Sequence, residues 1–127
     1  QFSIKACDGQ LWQRLAKDER LSAFMAARPP ETDPACRTNS ALLREYLLHY
    51  LKSREDIIQE GKSLMVRLLA PDQNGMPLEV IAFTRTTDWM AYEAIQAEIF
   101  EHILSVLAAF DLRVSQQWAL QPPVAKG

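Results

Sequence analysis

Two histidines, two cysteines and a scatter of carboxylates are the side chains of this 127-residue chain suited to catalysis or metal binding. A metal site needs several such groups to converge. His49 and His102 stand alone in their segments, without H-x-x-x-H or H-E-x-x-H spacing. His102 falls at the margin of an apolar stripe and His49 between Leu48 and Tyr50, so each reads as a packed or surface histidine. Cys7 and Cys36 lie far apart and outside any C-x-x-C pattern. They read as buried or idle thiols of a reducing compartment, with no disulfide implied. Cys7, before Asp8-Gly9, is the one thiol at a turn, and neither it nor any serine sits in a nucleophile signature. Glu98 and Glu101 are neighbours on the solvent side of one helix, where carboxylates ordinarily sit, and Glu93 lies in the same helix. No glycine-rich loop opens a helix in the phosphate-binding manner. The expectation is a protein that is not an enzyme and holds no cofactor and no metal.

The bulk properties agree with that. The chain is long enough to bury about two-thirds of its unfolded surface as one domain, 1–127. With 48% hydrophobic and 24% charged residues it has the composition of a soluble globular protein. A net charge of −2 gives no electrostatic footprint for nucleic acid or anionic lipid. The mixed signs of Lys17-Asp18-Glu19-Arg20 and Arg54-Glu55-Asp56 read as solvated faces. No stretch approaches the roughly 18 to 20 apolar residues that span a bilayer, and no signal peptide is visible. The chain starts without Met on what reads as the tail of a strand, as a fragment of a larger protein would.

The elements that must position any site are clearest from Leu64 to Ser115. Leu64 to Leu69 is a short apolar run, followed by Pro71-Asp72-Gln73-Asn74-Gly75. Gly and Asn tolerate positive φ, so the chain reverses here. Leu78 to Thr84 returns as a β-branched and aromatic strand. The offset of Asn-Gly from the strands predicts a four- to six-residue loop. Asp88 is placed to cap a helix running to Phe110. Its apolar stripe is Tyr92, Ile95, Ile99, Ile103, Val106, Leu107 and Phe110, with Ala94, Glu98, Glu101 and Ser105 opposite. Leu112 to Ser115 comes next as a last strand.

Earlier in the chain, Phe2 to Ala6 alternates like a half-buried strand, and Asp8 is placed to cap the segment after it. Leu11 to Ala16 and Leu21 to Ala26 read as helical with a change of phase between them, either one bent helix or two short ones. Residues 28–37 form a Pro-rich loop. Thr38-Asn39-Ser40 offers three capping residues to a helix from Ala41 to Leu51. Ser53 to Lys62 is a polar approach to the hairpin, and 116–127 a C-terminal tail. The order strand, helix, extra helix, strand, strand, helix, strand predicts an α+β fold. It is a ferredoxin-like split βαβ sandwich with the extra helix and Pro-rich insertion between helix 1 and strand 2. RNA-recognition modules share that arrangement. Phe83 is a strand aromatic here, but the basic glycine-flanked RNP pattern is missing, which argues against RNA. Trp12, Trp89 and Trp118 serve either the core or an interface.

Several blocks also resemble a known family. Gly75-Met76-Pro77-Leu78-Glu79 through Phe83-Thr84 is similar to the G-x-P-x-E-x-x-x-F-T strand of bacterial small-conductance mechanosensitive channels, the miniconductance-type subgroup above all. Trp89, Tyr92 to Ala97 and Ile99 to Leu104 resemble that family's last helix, and Phe110-Asp111-Leu112-Arg113-Val114 its closing F-G-L-R-V. Thr38, Asn39, Arg44, Tyr46 and Leu47 match its T-N-x-G-x-F-R-x-Y-L motif, with Ala41 and Leu43 in place of Gly and Phe. The resemblance implies the cytoplasmic carboxy-terminal domain of a channel, with the same ferredoxin-like fold. It further implies a homoheptameric parent in the bacterial inner membrane that releases ions and small solutes on hypo-osmotic shock. The domain would wall a vestibule, and Thr38, Asn39, Arg44, Tyr46, Trp89, Tyr92 and Arg113 become its motif and interface candidates. Nucleic acid is not an expected partner. A free-standing ferredoxin-like module that binds a small molecule or dimerises is the other reading.

Overall fold

The computed structural model describes residues 3–27 and 37–115. The chain is α+β. Its elements are α1 (Gly9–Lys17), α2 (Ser22–Ala26), α3 (Asn39–Lys52), β1 (Met65–Leu68), β2 (Leu78–Ile81), α4 (Trp89–Leu107) and a 3₁₀ turn, Ala108–Phe110. Each long helix starts where a side chain can take up a free backbone N–H. Asp8 accepts from Leu11 N, Thr38 from Ala41 N, and Asp88 from Ala91 N. The phase change after Lys17 is a break between two short helices.

β1 and β2 pair antiparallel, with Met65 opposite Ile81 and Leu68 opposite Leu78. The reversal is tighter than the expected four- to six-residue loop. Asp72 and Gly75 exchange both backbone hydrogen bonds across Gln73-Asn74, at 2.9 and 3.0 Å. Asp72 also accepts from Asn74 N through Oδ1 at 2.8 Å. The carboxylate closes the turn, and Gly75 supplies the φ of 117° that ends it. Beyond β2, Thr84 pairs with Ile57, and Ile58 N donates to Phe83 O. The polar segment before the hairpin therefore buries Ile57 and adds a short rung beside it.

The two terminal strands expected from the sequence are not part of this sheet. Segment 3–7 is tied instead to the start of α3, where Ala6 and Thr38 form an isolated bridge. Asn39 N donates to Lys5 O, Cys7 N to Arg37 O, and Lys5 N to Asn39 Oδ1. The backbone groups of Lys5 and the N–H of Cys7 are thus taken by the start of α3. Residues 112–115 come after a left-handed Asp111, and Leu112 N returns to Leu107 O to close α4. They belong to no strand among the described residues. Phe2, Cys36, Trp118, the Pro-rich stretch apart from Arg37, and the tail 116–127 lie outside the described residues.

One apolar core joins these pieces. Phe110, Leu15, Leu42, Leu47, Leu51 and Val106 are fully buried, and Cys7 is a free thiol packed among them. Burial, then the charge of Asp8, pushes that thiol up from its ordinary range, which suits an unreactive packing group. The α4 stripe behaves as its spacing predicts: Ile99, Ile103, Val106 and Phe110 are buried, and Ile95 and Leu107 pack at the margin. Tyr92, expected on that stripe, stands exposed.

Candidate functional site

The motif residues divide into a buried clasp and an exposed set. Thr38 caps α3, and Asn39, the next residue, has no solvent exposure. Its Oδ1 accepts from Lys5 N at 3.0 Å, and its Nδ2 donates to Ser3 O at 3.0 Å and Phe110 O at 2.8 Å. One side chain thus joins the beginning of the chain, the start of α3 and the end of α4. A buried amide satisfied in this way specifies one arrangement of three segments, because any other leaves its polar atoms unpaired.

Asp111 lies just beyond Phe110, in the left-handed region at φ 59°. Its Oδ2 is 2.9 Å from both Lys5 Nζ and Arg14 Nη2, so the beginning of the chain and the end of α4 meet again, now with α1, in an ion-paired knot at the surface. Burial works against ionisation of this carboxyl, but hydrogen bonds from Lys5 and Arg14 outweigh it and hold the group below the usual carboxylate range.

Tyr46 carries a second junction. It is buried, and its hydroxyl is 2.7 Å from His102 Nε2 on α4. The rings of Phe24, Tyr50 and Phe110 surround it, Phe24 edge-on at 5.6 Å. Burial first, then Tyr50, pushes its phenol up, so the hydroxyl keeps its proton. Arg44 by contrast lies on the outer side of α3. Its nearest acid is Glu45, which also pairs with Arg37.

The charge runs that read as solvated faces are ties between elements. Arg20 binds Asp18 at 2.8 Å and donates to Ser105 O on α4 at 2.8 Å. Arg54 binds Asp56, Glu98 of α4 and the Tyr50 hydroxyl, all between 2.7 and 2.9 Å. Hydrogen bonds from these arginines hold Asp18 and Asp56 below the usual carboxylate range. A short segment of sequence names the charges but not a partner 44 or 85 positions away.

Trp89 and Tyr92, by contrast, are exposed at 70% and 41%. They belong to an outer face of α4 that also carries Met90, Phe100 and Leu104. The sheet has an outer face of the same kind, with Met65, Leu69 and Phe83 exposed around an Arg67–Glu79 pair. Arg113 stands at the rim of an open groove of about 1350 Å³ between the hairpin tip, the end of α4 and segment 3–4. The groove is mostly apolar, with Leu43, Leu68, Leu78, Leu107 and Leu112 among its lining. Among the described residues no three His, Cys, Asp or Glu side chains are grouped to hold a metal ion. Nor is any helix there long and apolar enough to cross a membrane.

No family model matches this chain. No solved structure matches it either.

Proposed function

We propose that this chain is a vestibule-forming cytoplasmic domain of a small-conductance-type mechanosensitive channel. The observation that carries the reading is where positive φ falls. The patterns that the chain resembles have glycine at positions 75 and 111, and both positions need the conformation glycine favours, with φ of 117° and 59°. Asp111 occupies one of them and pairs there with Lys5 and Arg14. The third glycine of the patterns, replaced by Ala41, falls in the first turn of α3, where alanine fits without strain. The buried Asn39 adds support, since it joins the T-N block to the closing F-x-L-R-V block through Phe110 O.

In this reading the sheet is completed to a ferredoxin-like sandwich by segments 3–6 and 112–115. The Leu69 N to Pro77 O bond sets the ladder phase, which turns the backbone groups of Leu78 and Val80 away from β1. Among the described residues no strand covers that edge. Ser3, Ile4 and 112–115 line the same groove as Leu78. The work of the domain is architectural. Seven copies wall a chamber through which ions and small solutes reach a membrane pore, and the outer face of α4 with Trp89 and Tyr92 serves subunit contact.

The test is patch-clamp recording of the complete gene product in a bacterial membrane that lacks other mechanosensitive channels. Tension-gated currents, and survival of those cells after hypo-osmotic shock, are expected. A complete gene product without membrane spans, giving no currents, would defeat the proposal. The groove favours one other reading, a free-standing regulatory module that binds a small metabolite. A calorimetric screen that finds micromolar binding of an amino acid or nucleotide, abolished by filling the groove with Leu43→Trp, would favour that module.

A further inference from the structure

His102 projects from α4 into a bracket made by α3. Its ring lies flat on Tyr50, with centroids 3.9 Å apart and planes 9° apart, while its Nε2 meets the Tyr46 hydroxyl. Among the described residues that hydroxyl has no other partner. Tyr46 is 3% exposed, so its hydroxyl must either donate to the imidazole or bury an unpaired proton. The geometry therefore assigns Tyr46 as donor and His102 as the neutral ring protonated on Nδ1.

Two cations flank this contact and also tether α4. Arg20, from the turn between α1 and α2, holds Ser105 O one turn beyond His102. Arg54, after α3, lies 5.7 Å from the centre of the Tyr50 ring and holds Glu98 one turn before His102. The acids of this neighbourhood are already engaged, Asp18 with Arg20, and Asp56 and Glu98 with Arg54. Of the remaining groups, His49 packs 6.4 Å from Tyr46 and Glu101 is exposed on α4.

We propose that this bracket is a pH-sensitive latch: neutral His102 holds the C-terminal half of α4 on α3, and protonation of His102 releases it. The proposal needs only residues of this chain and stands apart from the channel reading. A proton added at Nε2 turns Tyr46 from donor to acceptor and strands its hydroxyl proton in the core. It also sets a third positive charge between two arginine tethers, whose own carboxylates Asp18, Asp56 and Glu98 are already engaged. Burial first, then Arg20 and Arg54, hold the docked imidazole below its ordinary value of 6.5. The released state takes the proton near that value while the docked state resists it. Docking is therefore complete above 6.5 and weakens as pH falls below it.

The experiment tracks the histidine ring resonances by NMR and hydrogen exchange across 99–107, corrected for intrinsic rates, between about pH 7.5 and about pH 5.5. A His102 midpoint below 6.5 is expected. So is an opening of α4 that grows as pH falls from 6.5 towards that midpoint, by at most about tenfold per pH unit, the limit for uptake of a single proton. His102→Gln, which accepts from Tyr46 but does not titrate, should remove that growth. Tyr46→Phe, which deletes the donor to the neutral ring, should raise the midpoint. It decides the matter even where the glutamine variant fails to fold. A wild-type midpoint at or above 6.5, a glutamine variant that opens with acid as the wild type does, or a midpoint unmoved by Tyr46→Phe overturns the latch.

Discussion

Asn39 is the residue on which the described structure depends most. Replacing it with alanine leaves Lys5 N–H, Ser3 C=O and Phe110 C=O without their partner, the last of them in a buried bond and the other two in part-buried ones. One unsatisfied buried group costs about 1–3 kcal/mol, so Asn39→Ala is expected to cost about 3–4 kcal/mol once the small cavity is included. Thr38→Ala removes only the cap on Ala41 N, at about 1 kcal/mol. Urea unfolding of the two variants checks the ranking, and an Asn39→Ala loss no larger than the cap's would show that the clasp is not what joins the segments. Asp111→Asn keeps a side chain tolerant of the left-handed region while removing the charge. The carboxyl of Asp111 is held below its ordinary 3.8, so its contribution is present above that value and lost as pH falls through the folded-state value. Wild type should lose stability there and Asp111→Asn should lose less. The effect is small, because the lysine and arginine partners are 39% and 56% exposed and solvent screens the pairs. Parallel acid-unfolding curves for the two proteins would show that the ion-paired knot contributes nothing.

At the scale of elements, the hairpin tip gives the sharpest test. A Cβ at Gly75 would stand 3.3 Å from the Ser115 Cβ, on a backbone at φ 117°. Both the strain and the crowding oppose a side chain, so Gly75→Ala should cost about 1–3 kcal/mol and push 112–115 off the tip. Gly9, in the first turn of α1 with open space around it, should accept alanine with no loss or a gain of up to about 1 kcal/mol. Thermal unfolding that ranks the two the other way would refute a strained, crowded tip. The hairpin, α3 and α4 were legible because period and punctuation both point to them: Asp88 and Thr38 at the starts, Asp72 to Gly75 at the reversal. The tip closed more tightly than its loop length implied because Asp72 binds Asn74 N, a local bond that spacing does not reveal. Segments 3–6 and 112–115 read as strands in the sequence but join no strand of the β1–β2 sheet, since four alternating residues state a backbone preference and leave the pairing to tertiary structure. Among the candidate residues, Thr38, Asn39 and Tyr46 proved to join elements. His102, Arg20 and Arg54 did not show in the sequence because their partners lie far along the chain.

For the whole molecule, the question is what the uncovered faces are for. At 100° per residue Trp89, Phe100 and Leu104 fall within about 60° of one another on α4. Their exposures of 70%, 52% and 57% put a row of large apolar side chains in water. Single exposed apolar residues need no explanation, but an aligned row on one helix is the kind of surface that monomers seldom leave bare. A subunit contact would bury it, but one helix face is a small interface. The chain by itself is therefore expected to fold as a monomer that self-associates weakly at high concentration. Full burial of one such side chain contributes about 1.5–3 kcal/mol, so Leu104→Glu or Phe100→Glu should weaken association by at least about tenfold. Neither change touches the Asn39 clasp or the Tyr46 bracket, so unfolding midpoints should stay nearly where they are. Sedimentation equilibrium over a wide concentration range reads the first effect and thermal unfolding the second. A tight, stable heptamer of the wild-type chain would contradict weak association, and association that ignores both glutamates would place the contact elsewhere, with the outer face of the sheet at Met65 and Phe83 next to be tried.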